Sequence, residues 1–340
     1  NVYHHTSLAP LFRHLENCWE QVRSYPEPSP HAVESQLAQA MGISAESVCL
    51  TSGATEAIYL IAQTFSGRRS CILSPTFSEY ADACRLHGHQ VRSIYTTDHL
   101  PKDADIVWIC NPNNPTGVLY PKEILLEIIQ VAREFSLLIF ADEIYDRLVM
   151  DGKQHISLAS LTEDVPVITL NGLSKSHCLC GYRCGWMVIS GPRELTEDYR
   201  QGIIQLTSLR LCANTMAQIV IPAALDDMET PASMVRPGGR IYEQREATVR
   251  ELEKIDGLSF VKNDAAFYVF PKLDVKKFNI TNDKQFAHDL LDVTNILLVP
   301  GSGFDWKDPD HFRIVMLPQA DILSDAIRRM GTFLDGYKQK

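Results

Sequence analysis

Lys175 lies at a place in the sequence where a purely structural role for a lysine is hard to find. It follows an apolar run over residues 165–170, and a strand there would deliver Lys175 to the carboxyl edge of a sheet, where open α/β folds bind ligands. Ser174 precedes the lysine, and Arg183 follows it by eight positions. A hydroxyl and a guanidinium at this spacing can bind one phosphate group. Taken alone, Lys175 would be interpreted as a solvated loop lysine, so the assignment depends on its neighbours.

Three further polar motifs follow predicted strands upstream of Lys175. They hold Asp142 after the run 137–140, Asn114 after the run 105–110, and Ala54 and Thr55 after the run 48–50. The last of these motifs begins a helical pattern, whose free backbone N–H groups can bind an anion. A lysine that bonds to an aldehyde, a carboxylate for a pyridinium nitrogen and a phosphate cup together describe a pyridoxal phosphate site.

In this order, the four motifs resemble those of the fold type I pyridoxal phosphate enzymes, in the aspartate aminotransferase superfamily. The resemblance covers nearly the whole chain, and four ordered motifs are specific where any one alone is weak. It implies an α/β fold with a large, mostly parallel sheet domain sandwiched by helices and a smaller C-terminal α+β domain. We expect an N-terminal arm over residues 1–28, the large domain over 29–235 and the small domain over 236–340. A stretch rich in proline and glycine, 230–239, predicts the linker between the two domains.

The resemblance also implies a role for each motif residue. Lys175 would hold the cofactor and act as the base, and Asp142 would keep the ring nitrogen protonated. The remaining roles are phosphate binding by Ala54, Thr55, Ser174 and Arg183, ring stacking by Phe77, contact with the ring's 3-oxygen by Asn114 and Tyr145, and binding of the substrate α-carboxylate by Arg313, with Asn114 beside it. Each residue has an ordinary alternative, such as a core phenylalanine for Phe77, a turn for Asn114 or a loop tyrosine for Tyr145.

Tyr25 lies in a Tyr-Pro motif at the end of the predicted arm. In the family, the tyrosine of such a motif reaches the phosphate in the neighbouring subunit, so the resemblance implies a homodimer with shared active sites. Without the resemblance, Tyr25 would be interpreted as a turn residue.

Two parts of the chain resemble different relatives. Residues 1–110 resemble histidinol-phosphate aminotransferase and threonine-phosphate decarboxylase, whereas residues from about 111 onward resemble bacterial alanine aminotransferases. We therefore hypothesise that the chain is composite, which a native gene continuous across residue 110 would contradict. The function expected first is transfer of an amino group from an L-amino acid, alanine as the first guess, to 2-oxoglutarate. The alternatives are a histidinol-phosphate aminotransferase or threonine-phosphate decarboxylase activity, and a non-catalytic protein that binds pyridoxal phosphate.

Composition restricts the other classes of function. The net charge of −10, without a basic stripe or tail, argues against nucleic acid as a partner. Nine irregularly spaced cysteines indicate reduced thiols, and the cluster Cys178, Cys180 and Cys184 lacks the partner spacing of a zinc site, so no metal is expected. The sequence has no apolar run long enough for a membrane span, and residues 1–19 lack the pattern of a signal peptide. We therefore expect a cytoplasmic location and no membrane partner.

Overall fold

The computed structural model describes residues 9–27, 30–96 and 103–340. Residues 1–8 and 28 of the predicted arm lie outside these ranges. Within them, none of the helices is both long and apolar enough to cross a membrane.

A seven-stranded sheet forms the centre of the larger part of the molecule. Its strands are β1 (Val48–Thr51), β2 (Arg69–Leu73), β3 (Gln90–Ile94), β4 (Ile106–Cys110), β5 (Leu138–Asp142), β6 (Val167–Gly172) and β7 (Gly185–Ser190). Their order across the sheet is β1-β7-β6-β5-β4-β2-β3. Strands β3, β2, β4, β5 and β6 are parallel, while β7 pairs antiparallel with both β6 and β1. The sheet is therefore mostly parallel, and the carboxyl ends of β4, β5 and β6 lie side by side.

Helices connect these strands and continue to the C-terminus. They are α1 (Ala9–Glu16), α2 (His31–Met41), α3 (Gly53–Thr64), α4 (Glu79–Leu86), α5 (Lys122–Phe135), α6 (Leu173–Ser176), α7 (Arg193–Ser208), α8 (Thr215–Asp226), α9 (Glu229–Val235), α10 (Arg240–Leu252), α11 (Val275–Phe278), α12 (Asp283–Thr294) and α13 (Ala320–Asp335).

Both faces of the sheet are covered by helices, because neighbouring residues on a strand point to opposite faces. In β4, Trp108 packs into a core with residues of α3, α4 and α7, whereas Val107 packs into a second core with residues of α5. The sequence of a strand that is buried on both faces is a continuous apolar run, and β4 could therefore be recognised from its sequence.

The C-terminal part contains five short strands in two small sheets. These are β8 (Leu258–Ser259), β9 (Tyr268–Val269), β10 (Lys272–Leu273), β11 (Val299–Pro300) and β12 (Phe312–Val315), in the orders β10-β8 and β11-β12-β9. Strand β12 pairs antiparallel with β9 and β11. Its Phe312 is fully buried in a core with residues of α12 and α13, and this packing fixes the neighbouring Arg313 in space.

The linker predicted over residues 230–239 is wrong in its first half. Helix α9 (Glu229–Val235) occupies that stretch, and its Met234 is buried in a core beside Ile241. Pro231 is tolerated because it lies in the first turn, where a helix needs no N–H donor. The turn at residues 236–239 then leads into α10. The domain limits at 28/29 and 235/236 stay predictions.

Candidate active site

A cavity of about 240 Å³ opens at the carboxyl edge of the large sheet. Its lining consists of Ala54, Thr55, Ile58, Phe77, Tyr80, Cys110, Asn114, Asp142, Ile144, Tyr145, Ser174, Lys175, Cys180, Arg183, Tyr268 and Arg313. All but one of the site residues predicted from the sequence are therefore brought together. A larger cavity of about 720 Å³ lies against α13, but its lining is mainly apolar and contains neither a carboxylate nor a lysine.

Lys175 lies in the short helix α6, directly after β6. Its Nζ is 5.8 Å from the ring centroids of both Tyr145 and Phe267. Burial lowers the pKa of Lys175, and the positive charges of Arg313 and Arg183 add to this, while nearby Cys180 and Asp142 act in the opposite direction. A lowered pKa increases the fraction of neutral amine, which is the form that attacks an aldehyde or accepts a proton.

Asp142 is the last residue of β5 and is almost completely buried. Its Oδ2 accepts a hydrogen bond from the Tyr80 hydroxyl at 2.6 Å, and its Oδ1 accepts one from the backbone N–H of Ile144 at 3.1 Å. Burial raises the pKa of Asp142, whereas the two donors and the charge of Lys175 lower it. These groups hold a carboxylate ready for a cationic partner in the cavity.

The N-terminus of α3 and Arg183 form a candidate phosphate cup. A Cβ built on Gly53 would lie 2.5 Å from Nη2 of Arg183, so the guanidinium lies directly over this glycine. Likewise, a Cβ on Gly185 would lie 2.5 Å from the carbonyl carbon of Gly53, so β7 approaches the same turn closely. The first backbone N–H groups of α3, a guanidinium and the buried Ser174 thus line one end of the cavity.

Arg313 also lines the cavity. It donates from Nη1 to Oδ1 of Asn114 at 2.8 Å. Its guanidinium contacts the rings of Tyr268 and Phe304, with Cζ 4.6 Å from each ring centroid. Its Nε is buried and has no hydrogen-bond partner among the described residues. A guanidinium that contacts two aromatic rings and still has a donor without a partner is suited to bind a carboxylate.

Two tyrosines of the site were missed in the sequence. Tyr80 belongs to the motif that contains Phe77, and it lies in the first turn of α4, just after the turn that carries Phe77. Their rings make an edge-to-face contact with centroids 5.8 Å apart. Tyr268 comes from the C-terminal part, and its hydroxyl lies 2.9 Å from the Tyr145 hydroxyl. The sequence offered no signal for this second contact, because 123 positions separate the two residues.

Tyr25 is the predicted site residue that does not line the cavity of its own chain. Its side chain is 83% exposed. This position is compatible with the expected role in a neighbouring subunit, which stays a prediction.

The arrangement fits pyridoxal phosphate by the chemistry of its donors. The cavity is lined by a candidate anion site at the α3 N-terminus, by the buried carboxylate of Asp142, which suits a ring nitrogen, and by Lys175. Phe77 supplies an aromatic ring and Asn114 and Tyr145 supply polar groups. Among the described residues, no group of three or more His, Cys, Asp or Glu side chains is arranged to hold a metal ion.

Residues 17–327 match the family described as aminotransferase class I and II. The chain belongs to this family. Class I and II aminotransferases use pyridoxal phosphate. Over 239 residues, this family member is 46% identical to the glutamate-pyruvate aminotransferase AlaA of Escherichia coli (strain K12). The alignment covers 70% of this chain and 59% of the relative, so the match spans less than two thirds of the relative's length.

Solved structures confirm the fold of this aminotransferase family member. An aminotransferase from Escherichia coli matches it with a TM-score of 0.95 at 33% identity, over 99% of this chain and 89% of the other. A mutant aspartate aminotransferase from Thermus thermophilus matches with a TM-score of 0.84 at 22% identity, over 98% and 94% of the two chains. The aspartate aminotransferase-like α/β fold predicted from the sequence is therefore confirmed. The resemblance of residues 1–110 to histidinol-phosphate aminotransferase and threonine-phosphate decarboxylase stays a prediction.

Proposed function

We propose that this protein is a pyridoxal phosphate-dependent aminotransferase that moves the amino group of an L-amino acid, alanine as the first candidate, to 2-oxoglutarate. The observation that carries the proposal is the convergence of Lys175, Asp142 and Arg313 on one cavity. Membership of the aminotransferase family supports the type of reaction. The name of the AlaA relative, a glutamate-pyruvate aminotransferase, supports alanine and 2-oxoglutarate as the pair to test first.

The proposed roles follow from where each group lies. Arg183, Ser174 and the N-terminus of α3 would bind the cofactor's phosphate, and Asp142 would pair with its ring nitrogen. Phe77 would stack on the ring, while Asn114 and Tyr145 would contact its 3-oxygen. Since Asn114 also accepts a hydrogen bond from Arg313, it would connect the cofactor to the group that binds the substrate.

Arg313 would bind the α-carboxylate of the amino acid and orient its α-carbon toward Lys175. When bound, pyridoxal phosphate would supply an electron sink for the bonds at that carbon. The Nζ of Lys175 would then accept the α-proton, and burial of the amine favours the neutral form that can do so. A general base contributes typically about 10²–10⁴-fold to a rate.

We propose that the active unit is a homodimer in which Tyr25 of one chain completes the site of the other. The high exposure of Tyr25 on a single chain supports this arrangement. Mixing Lys175→Ala and Tyr25→Ala chains would test it, since a mixed dimer then contains one intact site. About a quarter of the wild-type activity should return on random reassortment. Two inactive variants that stay inactive after mixing would contradict shared sites.

The reaction itself can be tested with the purified protein and added pyridoxal phosphate. L-alanine should convert the bound cofactor to its amine form, which changes its visible absorption, with release of pyruvate. Addition of 2-oxoglutarate should restore the first spectrum. A spectrum that does not respond to alanine would reject the substrate, and release of carbon dioxide from a phosphorylated amino acid would favour a decarboxylase instead. Cofactor binding without turnover of either substrate would favour a non-catalytic binding protein. The cytoplasmic location stays a prediction.

A further inference from the structure

The hydroxyl of Tyr80 donates a hydrogen bond to Asp142 and also interacts with the thiol of Cys110. The bond from Tyr80 Oη to Asp142 Oδ2 is 2.6 Å long, and both side chains are buried. The backbone N–H of Ile144 occupies the other carboxylate oxygen. Each carboxylate oxygen can accept more than one hydrogen bond, so these two donors set the plane of the carboxylate and leave acceptor capacity toward the cavity.

The tyrosine ring is itself held firmly. It stacks on Trp108 with centroids 5.5 Å apart at 22°, and it meets Phe77 edge-to-face. Since β4 carries Trp108 and the turn before α4 carries Phe77, two elements of the large sheet region fix where the hydroxyl points. A rotation of Tyr80 would break both ring contacts, so the donor is positioned in advance.

Asp142 needs such a donor because ionisation of a carboxyl group costs free energy where water is excluded. Burial favours the protonated acid. This form is neutral and carries a proton on one oxygen, so it pairs poorly with a protonated ring nitrogen. A hydrogen bond from a buried hydroxyl stabilises the ionised form and becomes stronger where water is excluded. Lys175, Cys110 and the neighbouring Glu143 also interact electrostatically with Asp142. Besides Tyr80, the other titratable side chains that line the cavity are those of Tyr145, Cys180, Arg183, Tyr268 and Arg313.

We propose that Tyr80 is a positioning residue that acts through Asp142, keeping this carboxylate ionised and aligned with the ring nitrogen of the cofactor. The inference rests on the proposed function, because it assumes that pyridoxal phosphate binds in this cavity. Tyr80 does not touch the reacting atoms in this scheme. Through Asp142, Tyr80 would make the site bind a cofactor with a ring nitrogen more tightly than one without it.

The test compares the binding of two cofactors to this chain after its own cofactor has been removed. One is pyridoxal phosphate, and the other is its 1-deaza analogue, in which a C–H replaces the ring nitrogen. Dissociation constants are measured by quenching of protein fluorescence for the wild type, Tyr80→Phe and Tyr59→Phe. Tyr59 is a matched control, since its hydroxyl also donates to a carboxylate, Glu79 Oε2 at 2.8 Å, away from the cavity.

In the wild type, pyridoxal phosphate should bind more tightly than the analogue. Tyr80→Phe should reduce that preference about tenfold, because it weakens the binding of pyridoxal phosphate but not that of the analogue. A tenfold change is about the size expected for one hydrogen bond to a charged group. Tyr59→Phe should leave the preference unchanged. In an Asp142→Asn background, Tyr80→Phe should have no further effect on the preference, because the group through which it acts is gone.

Three results would overturn the inference. Tyr80→Phe could weaken the binding of both cofactors equally, which would indicate a general structural role. It could also leave the affinities for both cofactors unchanged. It could also lower the preference further in the Asp142→Asn background. Failure of the wild type to bind either cofactor would overturn the proposed function itself, so the two failures are distinguishable.

Discussion

Arg313 and Asn114 are 199 positions apart in sequence, yet Arg313 Nη1 donates to Asn114 Oδ1 at 2.8 Å. The bond joins β12 of the C-terminal part to the loop that follows β4 at the edge of the large sheet. The bond thereby holds Arg313, which we propose binds the substrate, against Asn114, which we propose binds the cofactor. Movement of one part relative to the other would change both contacts together.

Arg313→Lys should therefore reduce kcat/KM for the amino donor by about 100-fold, mostly through KM, because an ammonium lacks the planar fork that binds a carboxylate with two hydrogen bonds. The dissociation constant of pyridoxal phosphate should change little. Steady-state kinetics and a cofactor titration measure the two effects. Arg92→Lys, at an exposed position of β3, is the matched control. Equal loss of cofactor affinity would contradict the assignment of Arg313 to the substrate.

Lys175→Ala should abolish covalent attachment of the cofactor and reduce kcat by more than about 10⁴-fold, because the base and the attachment point are lost together. Borohydride reduction followed by mass spectrometry of the intact chain detects the attachment. Lys153→Ala removes a half-exposed lysine that pairs with Asp264 at the surface, and it should keep both attachment and turnover. An adduct that persists in Lys175→Ala would place the reactive amine elsewhere.

Gly53→Ala tests the phosphate cup. Its Cβ would lie 2.5 Å from Arg183 Nη2 at a φ of +80°, so the guanidinium must move. Gly67→Ala is a close control, because Gly67 has a φ of +79° with no atom within 4 Å of the added carbon. Both variants should lose roughly 1–2 kcal/mol of stability from the backbone conformation. Only Gly53→Ala should also lose about tenfold or more in cofactor affinity. Equal affinity of the two variants would argue against the cup.

Glu143 provides a test of stability against pH. It is buried and follows Asp142 in the chain. It accepts a hydrogen bond from the Leu158 N–H at 2.9 Å, and burial raises its pKa to about 8 from an ordinary value of 4.5. Between these two values, the folded protein holds a proton that the unfolded chain has released. The free energy of unfolding should therefore fall as the pH rises through this window, by about 2 kcal/mol from pH 6 to pH 8.

Urea unfolding at the two pH values measures this loss. Glu143→Gln has no titrating group at this position. Its free energy of unfolding should therefore fall less between pH 6 and pH 8 than that of the wild type. Glu123→Gln, at an exposed position in the first turn of α5, should behave as the wild type. A wild type whose stability is unchanged or increases from pH 6 to pH 8 would contradict the raised pKa.

Much of the site could be predicted because its residues follow buried strands in the sequence. Asp142 and Lys175 each come at or just after the end of an apolar run, and the carboxyl ends of parallel strands meet at one edge of a sheet. The family motifs then indicated which side chains to expect there. Apolar runs also indicated whole strands, as in β4 and β5, since burial of both faces of a strand leaves a visible pattern in the sequence.

The tertiary structure alone decided the contacts between distant residues. The hydrogen bonds from Tyr80 to Asp142, between Tyr145 and Tyr268, and from Arg313 to Asn114 join side chains 62, 123 and 199 positions apart. Such contacts depend on how the large sheet packs against the C-terminal strands, and this packing has no local signature. Helix α9 was missed for a related reason, because proline and glycine near its ends suggested a linker while burial of Met234 stabilises a helix. The sequence by itself determined the chemical groups and the sheet edge that collects them, and tertiary packing decided which of these groups hydrogen-bond to one another.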